Sequence, residues 1–203
     1  MIDGIERVGV YGGTFAPVHN GHVAAARAFY EQMKLDRVLI IPDRIPPHKT
    51  IDDADEPERR LDMCRLAFDS EGMQVSDMEL HRQGASYTVD TLRQLSAPGR
   101  KLFLLCGTDM MLTFDQWREF EEIFRLCCPV YIRRENDASL NEKIIAKNSE
   151  YFRKYGVAFR RIVTDPLEIS SSQIRRMVRA GESIHSLVPD EVEKYIIENR
   201  LYV

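Results

Sequence analysis

The chain has 203 residues, the size of one large domain able to bury a substantial core. With 44% hydrophobic and 30% charged residues it is neither disordered nor fibrous, and a net charge of −4 spread over both halves disfavours binding to nucleic acid. No apolar run approaches the roughly 18 residues of a membrane helix, and Met1-Ile2-Asp3-Gly4-Ile5-Glu6-Arg7 lacks the regions of a signal peptide, so the chain reads as cytoplasmic with no membrane partner.

Val8-Gly9-Val10-Tyr11 reads as a buried first strand and the alanine-rich run from Val23 to Met33 as a helix. Between them lies Gly12-Gly13-Thr14-Phe15-Ala16-Pro17-Val18-His19-Asn20-Gly21-His22, a strand-to-helix crossing. Adjacent glycines let the backbone turn tightly against a ligand, Thr14 adds a hydroxyl, and Asn20 is the expected N-cap with Gly21 in the first turn. Unpaired N–H groups and the helix dipole then favour an anion. His19 and His22, three apart, can face it together and stabilise charge on a phosphoryl group. A plain turn, or half of a metal site, competes with this reading, though no ligand-spaced cluster stands nearby in the sequence.

Arg37 to Pro42 reads as a second strand, apolar throughout as a parallel strand buried on both faces should be. The following loop, Asp43 to Thr50, makes His48 and Lys49 candidate phosphate contacts, with a solvated loop tip as the alternative. An acidic stretch from Asp52 leads into a helix over about Glu58 to Asp69. Gln74 to Leu80 reads as a third strand, after which Thr88 is expected to cap a helix from Val89 to Leu95. Ser86, Tyr87 and Thr88 before that helix suit either a polar ligand group or simple capping.

Lys101 to Cys106 reads as the clearest buried strand and delivers Gly107-Thr108-Asp109 to the same sheet edge as the first loop. A carboxylate there suits ribose hydroxyls, with helix capping as the competing role for Asp109. Trp117, the sole Trp of the chain, is either core or a ligand platform. Pro129 to Arg134, a helix from Ser139 to Arg153, and Ala158 to Thr164 extend the alternation. Ser170-Ser171-Ser172-Gln173-Ile174-Arg175 opens a helix to about Ala180, a second helix start able to face a phosphate or merely a serine cap with a surface Arg. Pro189-Asp190 opens a last helix, Glu191 to Asn199. Cys64, Cys106, Cys127 and Cys128 read as buried free thiols. The whole is an α/β pattern around a parallel sheet.

The Gly-Gly-Thr-Phe-x-Pro-x-His-x-Gly-His stretch, together with Ile169-Ser170-Ser171 and Arg175, resembles the nucleotidyltransferases of the HIGH-type Rossmann superfamily. Pro46-Pro47-His48-Lys49, Arg82, Gly84 to Leu92, Gly107-Thr108-Asp109, Trp117 and Val188-Pro189 make it similar to the bacterial nicotinate-nucleotide adenylyltransferase family, over nearly the whole chain. Ala16 stands where that family often has Asp, and Arg118 follows Trp117 where some members have an aromatic.

The resemblance implies a Rossmann-like doubly wound parallel sheet with helices on both faces, residues 1–203 forming one nucleotidyltransferase domain onto which helices from about 171 to 203 pack. It implies transfer of AMP from ATP to nicotinate mononucleotide by direct in-line attack, without a covalent intermediate. Gly12, Gly13, Thr14, Phe15, His19, Gly21, His22, Gly107, Asp109, Ile169, Ser170, Ser171 and Arg175 would bind ATP. His19, His22, Lys49 and Arg175 would be the catalytic donors, with Mg²⁺ bridging phosphate oxygens and few protein ligands. Thr14, Lys49, Ser86, Tyr87, Thr88, Asp109, Trp117 and Arg118 would contact nicotinate mononucleotide, Trp117 by stacking. Amide-preferring or dual-specificity adenylyltransferases, a phosphopantetheine adenylyltransferase and a non-catalytic nucleotide sensor stay as alternatives, and a homodimer is left open.

Overall fold

The computed structural model describes residues 4–45, 56–133, 139–164 and 169–203. Six strands, β1 (Glu6–Gly13), β2 (Arg37–Pro42), β3 (Met73–Val75), β4 (Arg100–Gly107), β5 (Cys127–Ile132) and β6 (Arg160–Ile162), form one sheet in the order β3-β2-β1-β4-β5-β6. Every neighbouring pair is parallel. This is the doubly wound arrangement, in which the strand order reverses between β1 and β4 and a crevice opens at their carboxyl ends.

The side-chain alternation of the strands sorts the core into two layers. Tyr11, Ile40, Phe103, Leu105, Val130 and Ile132 point to one face, which is covered by α1 (Asn20–Gln32), α2 (Pro57–Ala67), α7 (Ser171–Arg179) and α8 (Asp190–Glu198). Val8, Val10, Leu39, Ile41, Leu102 and Leu104 point to the other, covered by α3 (Thr88–Leu95), α4 (Thr108–Leu112), α5 (Phe120–Leu126) and α6 (Leu140–Tyr155). The near-continuous apolar character of β1, β2 and β4 follows from burial on both sides. Gly9 shows how tightly the first layer is drawn in: a Cβ there would stand 2.6 Å from Leu35 and 2.7 Å from Phe29, so only glycine lets α1 and the chain after it press onto β1.

Several boundaries differ from the sequence expectation. The third strand stops at Val75, because Asp77 to Leu80 turns back on itself through Leu80 N–H to the Asp77 carbonyl at 2.9 Å. The sixth strand is likewise three residues long, β5 begins at Cys127 rather than Pro129, and Arg134 lies outside the described residues. Two short elements went unanticipated, α5 and a 3₁₀ turn at Phe114–Gln116, each too brief to show a helical period. The expected caps also shift by one residue: His19, not Asn20, is the N-cap of α1, and Tyr87, not Thr88, that of α3. Cys64, Cys106 and Cys127 are buried free thiols, whereas Cys128 is half-buried. Among the described residues no helix is long and apolar enough to cross a membrane.

Candidate active site

At the crevice between β1 and β4 lies a cleft of about 750 Å³. Its lining draws on the β1–α1 crossing, the segment before α3, the segment after β4 and the start of α7. Sequence-selected residues that line it are Gly12, Gly13, Thr14, Phe15, His19, His22, Ser86, Tyr87, Thr88, Gly107, Asp109, Trp117, Arg118, Ser170, Ser171 and Arg175. Gly21 and Ile169 do not: Gly21 sits in the first turn of α1 with no side chain to reach the cleft, and Ile169 packs its apolar side chain on the core. His48 and Lys49 lie outside the described residues.

At one end of the cleft the two histidines stack, with ring centroids 3.7 Å apart at 28°. Their placement follows from the cap: His19 is extended at the N-cap and His22 lies one turn on. The His19 backbone N–H donates to Nδ1 of His22 at 3.2 Å. An Nδ1 that accepts cannot carry a proton, so the neutral ring holds its hydrogen on Nε2 and presents a donor. The edge of Phe15, 5.0 Å away and buried, supports the His22 ring.

The loop that carries these histidines is braced from three sides. Ser171 donates its hydroxyl to the Pro17 carbonyl at 2.9 Å, and Arg175 Nη1 donates to the Ala16 carbonyl at 2.6 Å. The bond is to the Ala16 backbone, and it is independent of the side chain at that position. Asn20 reaches the opposite way, its side chain donating to the Ser186 carbonyl at 2.7 Å and its N–H to that of Leu187 at 2.9 Å. Ser170 caps α7 by accepting from Gln173 N–H at 3.2 Å.

Beneath the loop lies a pair that the sequence reading missed. Arg60 has no solvent-exposed surface and donates through Nη1 to Asp43 at 3.0 Å and to the Thr14 carbonyl at 2.8 Å, and through Nη2 to the Arg44 carbonyl at 3.2 Å. Asp43 also accepts the Thr14 hydroxyl at 3.0 Å. The Thr14 proton is therefore committed to the protein, leaving its oxygen as an acceptor. In the sequence Arg60 is one of several charges on a polar helix, and nothing local marks it as buried.

At the other end, Asp109 lies in the first turn of α4, whose N-cap is Gly107, so it is not the capping residue. Its carboxylate folds back over Gly107, where a Cβ would meet Oδ1 at 2.7 Å, so a larger residue there would turn the Asp109 side chain aside. Trp117 stacks on buried Phe114 at 4.7 Å and 29° and also lines the cleft. Arg118, mostly exposed, holds its guanidinium 4.5 Å over the Tyr87 ring and ties the Trp117 segment to the start of α3. The α3 N-terminus has no side-chain cap, so its first backbone N–H groups lack that competitor for a ligand.

The chain matches the cytidylyltransferase-like family over residues 10–177. It is 42% identical to a protein of Citrifermentans bemidjiense named as a probable nicotinate-nucleotide adenylyltransferase, over 97% of this chain and 98% of that one. This chain belongs to the nicotinate-nucleotide adenylyltransferases of the cytidylyltransferase-like family. A relative of the same name from Desulfatibacillum aliphaticivorans is 37% identical over 97% of this chain and all of its own. Among solved structures, the nicotinic acid mononucleotide adenylyltransferase of Plasmodium falciparum complexed with NaAD superposes with a TM-score of 0.76, covering 97% of both chains. At 19% identity that likeness shows the fold, a nicotinate-nucleotide adenylyltransferase sheet with helices on both faces.

Proposed function

We propose that this chain transfers AMP from ATP to nicotinate mononucleotide, releasing pyrophosphate and forming nicotinate adenine dinucleotide for NAD biosynthesis, in the cytoplasm. One observation carries the reading for these particular residues: a single cleft joins a donor-lined helix start, at His19 and His22, to an aromatic and amide-lined end at Trp117 and Ser86 to Thr88. Its relatives at 36–42% identity carry that name.

In the reaction an oxygen of the mononucleotide phosphate forms a bond to the α-phosphorus of ATP, and the bond from that phosphorus to the bridging oxygen of pyrophosphate breaks. Both reactants are anions, so the protein's contribution is alignment and neutralisation rather than a nucleophile. The Nε2 donor of His22 and the adjacent His19 supply hydrogen bonds where negative charge gathers on the transferred phosphoryl group. Arg175 lines the same cleft, its guanidinium fixed by Nη1 to the Ala16 carbonyl and by Nη2 to Ser172 Oγ at 3.4 Å, and would add positive charge there. Lys49 is assigned the leaving pyrophosphate from its sequence position.

Mg²⁺ would enter with ATP, held mainly by phosphate oxygens and water with few protein ligands; the cation-spaced group His185, Asp190 and Glu193 lies outside the cleft lining. The metal would neutralise charge on the triphosphate.

Trp117 would stack on the pyridine ring, Asp109 accept from a ribose hydroxyl, and the backbone N–H groups at the start of α3 hold the ring carboxylate. N–H donors aimed at both oxygens of a carboxylate are poorly used by an amide, which favours the acid over nicotinamide mononucleotide. Residues 1–203 act as one unit in this reading, with α7 supplying Arg175.

The test is pyrophosphate release and dinucleotide formation with ATP and Mg²⁺, comparing nicotinate with nicotinamide mononucleotide at equal concentration. Strong preference for the acid supports the reaction and the carboxylate site together. Equal use removes the selectivity argument, and no turnover with either removes the proposed acceptor.

A further inference from the structure

Glu79 is 6% exposed and lines the cleft, yet no part of the chemistry above uses it. It sits in the turn after β3, where the sequence reading placed a strand, and points inward between the cleft and α3. Burial raises the pKa of its carboxyl above the ordinary value, opposed by hydrogen bonds from Thr91 and Ser86 and by the nearby Arg82 charge.

The hydrogen-bond directions around it are determined by its neighbours. Thr91 Oγ1 accepts from Arg82 Nη1 at 3.0 Å and donates its own proton to Glu79. Ser86 Oγ accepts from Arg44 N–H at 3.1 Å, and its hydroxyl lies near enough to help draw the Glu79 pKa back down. One carboxylate thus receives the Thr91 hydroxyl and has that of Ser86 beside it, so it engages both sides of the α3 start: Ser86 just before it and Thr91 in its first turn and a half. Ser86 N–H also donates to the Ile45 carbonyl at 3.0 Å, so both polar groups of Ser86 are engaged within the protein.

We propose that Glu79 is a positioning residue for the pyridine-nucleotide end of the cleft, clamping Ser86 and Thr91 so that the backbone N–H groups between them are held at the spacing a substrate carboxylate requires. The proposal rests on the functional reading above and deepens it. Glu79 itself bonds on the α3 side, while the opposite end has its own brace in Arg60, which grips Thr14, Asp43 and Arg44; the two networks meet at Arg44, whose N–H donates to Ser86 Oγ. A buried, satisfied network of this kind loses geometry rather than merely affinity when its central acceptor is removed.

The experiment compares wild type with Glu79→Ala and Glu79→Gln, measuring kcat, KM for nicotinate mononucleotide, KM for ATP and the acid-to-amide preference, with circular dichroism and thermal melting to report folding. Glutamine retains one carbonyl acceptor and tests for partial rescue. The expected result is a KM for nicotinate mononucleotide raised about tenfold in Glu79→Ala, roughly one lost hydrogen-bonded network, with KM for ATP within about twofold and the acid preference reduced; Glu79→Gln falls between. Equal increases in both KM values, or an unchanged acid preference, would reduce Glu79 to a general packing role and overturn the proposal. If Glu79→Ala does not fold, Glu79→Gln carries the same comparison. Absence of turnover in the wild type with nicotinate mononucleotide would instead remove the functional reading, so the two failures are separable.

Discussion

At the histidine end of the cleft, the loop and helix start from Gly12 to His22 form one contiguous stretch, joined from far along the chain by Ser170, Ser171 and Arg175 of the α7 start, and the key bond, His19 N–H to His22 Nδ1, spans three residues. At the tryptophan end the same work is divided among segments far apart in sequence: Arg44 meets Ser86 across 42 residues, Arg118 meets Tyr87 across 31, and Tyr151 of α6 holds the Met111 carbonyl across 40. A helix start organises its own donors locally. An aromatic slot beside the start of a separate helix has no local equivalent and must be assembled by packing. The first end should therefore fail chemically when altered, and the second should fail in binding.

The sharpest test of that division is His22→Ala. Loss of a donor to the transferred phosphoryl group should lower kcat about 10²-fold or more, with both KM values little changed, as read from steady-state kinetics. A rise in KM at unchanged kcat would mean that the histidine end only binds, and the contrast would collapse. Trp117→Ala tests the other end: stacking on a base-like ring is worth about 1–3 kcal/mol, so KM for nicotinate mononucleotide should rise roughly 5- to 150-fold while KM for ATP holds. Normal mononucleotide binding in that variant would return Trp117 to a purely core role beside Phe114.

A smaller effect concerns the scaffold of the tryptophan end. Tyr151 is 1% exposed, donates to the Met111 carbonyl at 3.1 Å and accepts from Asp115 N–H at 3.3 Å, securing the stretch between Asp109 and Trp117. Burial, only partly offset by the Asp115 N–H, pushes its phenol from 10.0 up to about 12. The raised value means that the stability from the neutral phenol is complete below pH 10 and is lost as pH rises from there through about 12. Tyr151→Phe forgoes about 1 kcal/mol of hydrogen bonding, a melting shift of about 2–4 °C at pH 8. That gap should close as both proteins are melted toward pH 12. A gap that stays constant with pH would show that the phenol does not titrate differently in the folded protein.

Legibility in the sequence follows the same division. The first strand, the crossing and both histidines could be read from Val8 to His22 because β-branched burial, adjacent glycines and helix-start chemistry are local signals. The strands β1, β2 and β4 announced themselves by continuous apolar runs. Glu79 and Arg60 were not legible. Each lies among other charges in a polar stretch, and only the third dimension shows that Glu79 turns inward while Arg60 is entirely buried. The short α5 and the shortened β3 and β6 were likewise below the length at which periodicity distinguishes helix, strand and turn.

Taken by itself, the sequence determined the class of fold, the strand-to-helix crossing with its two histidines, and about half of the residues that line the cleft, because each of these is encoded by neighbours a few residues apart. Tertiary structure alone decided that Asp43 and Arg60 pin the β1–α1 loop, that Thr91 spends its hydroxyl on Glu79, and that Arg118 closes over Tyr87. Those choices depend on which charges are removed from water, and a buried charge must find its partner wherever the fold brings one, however distant in the chain.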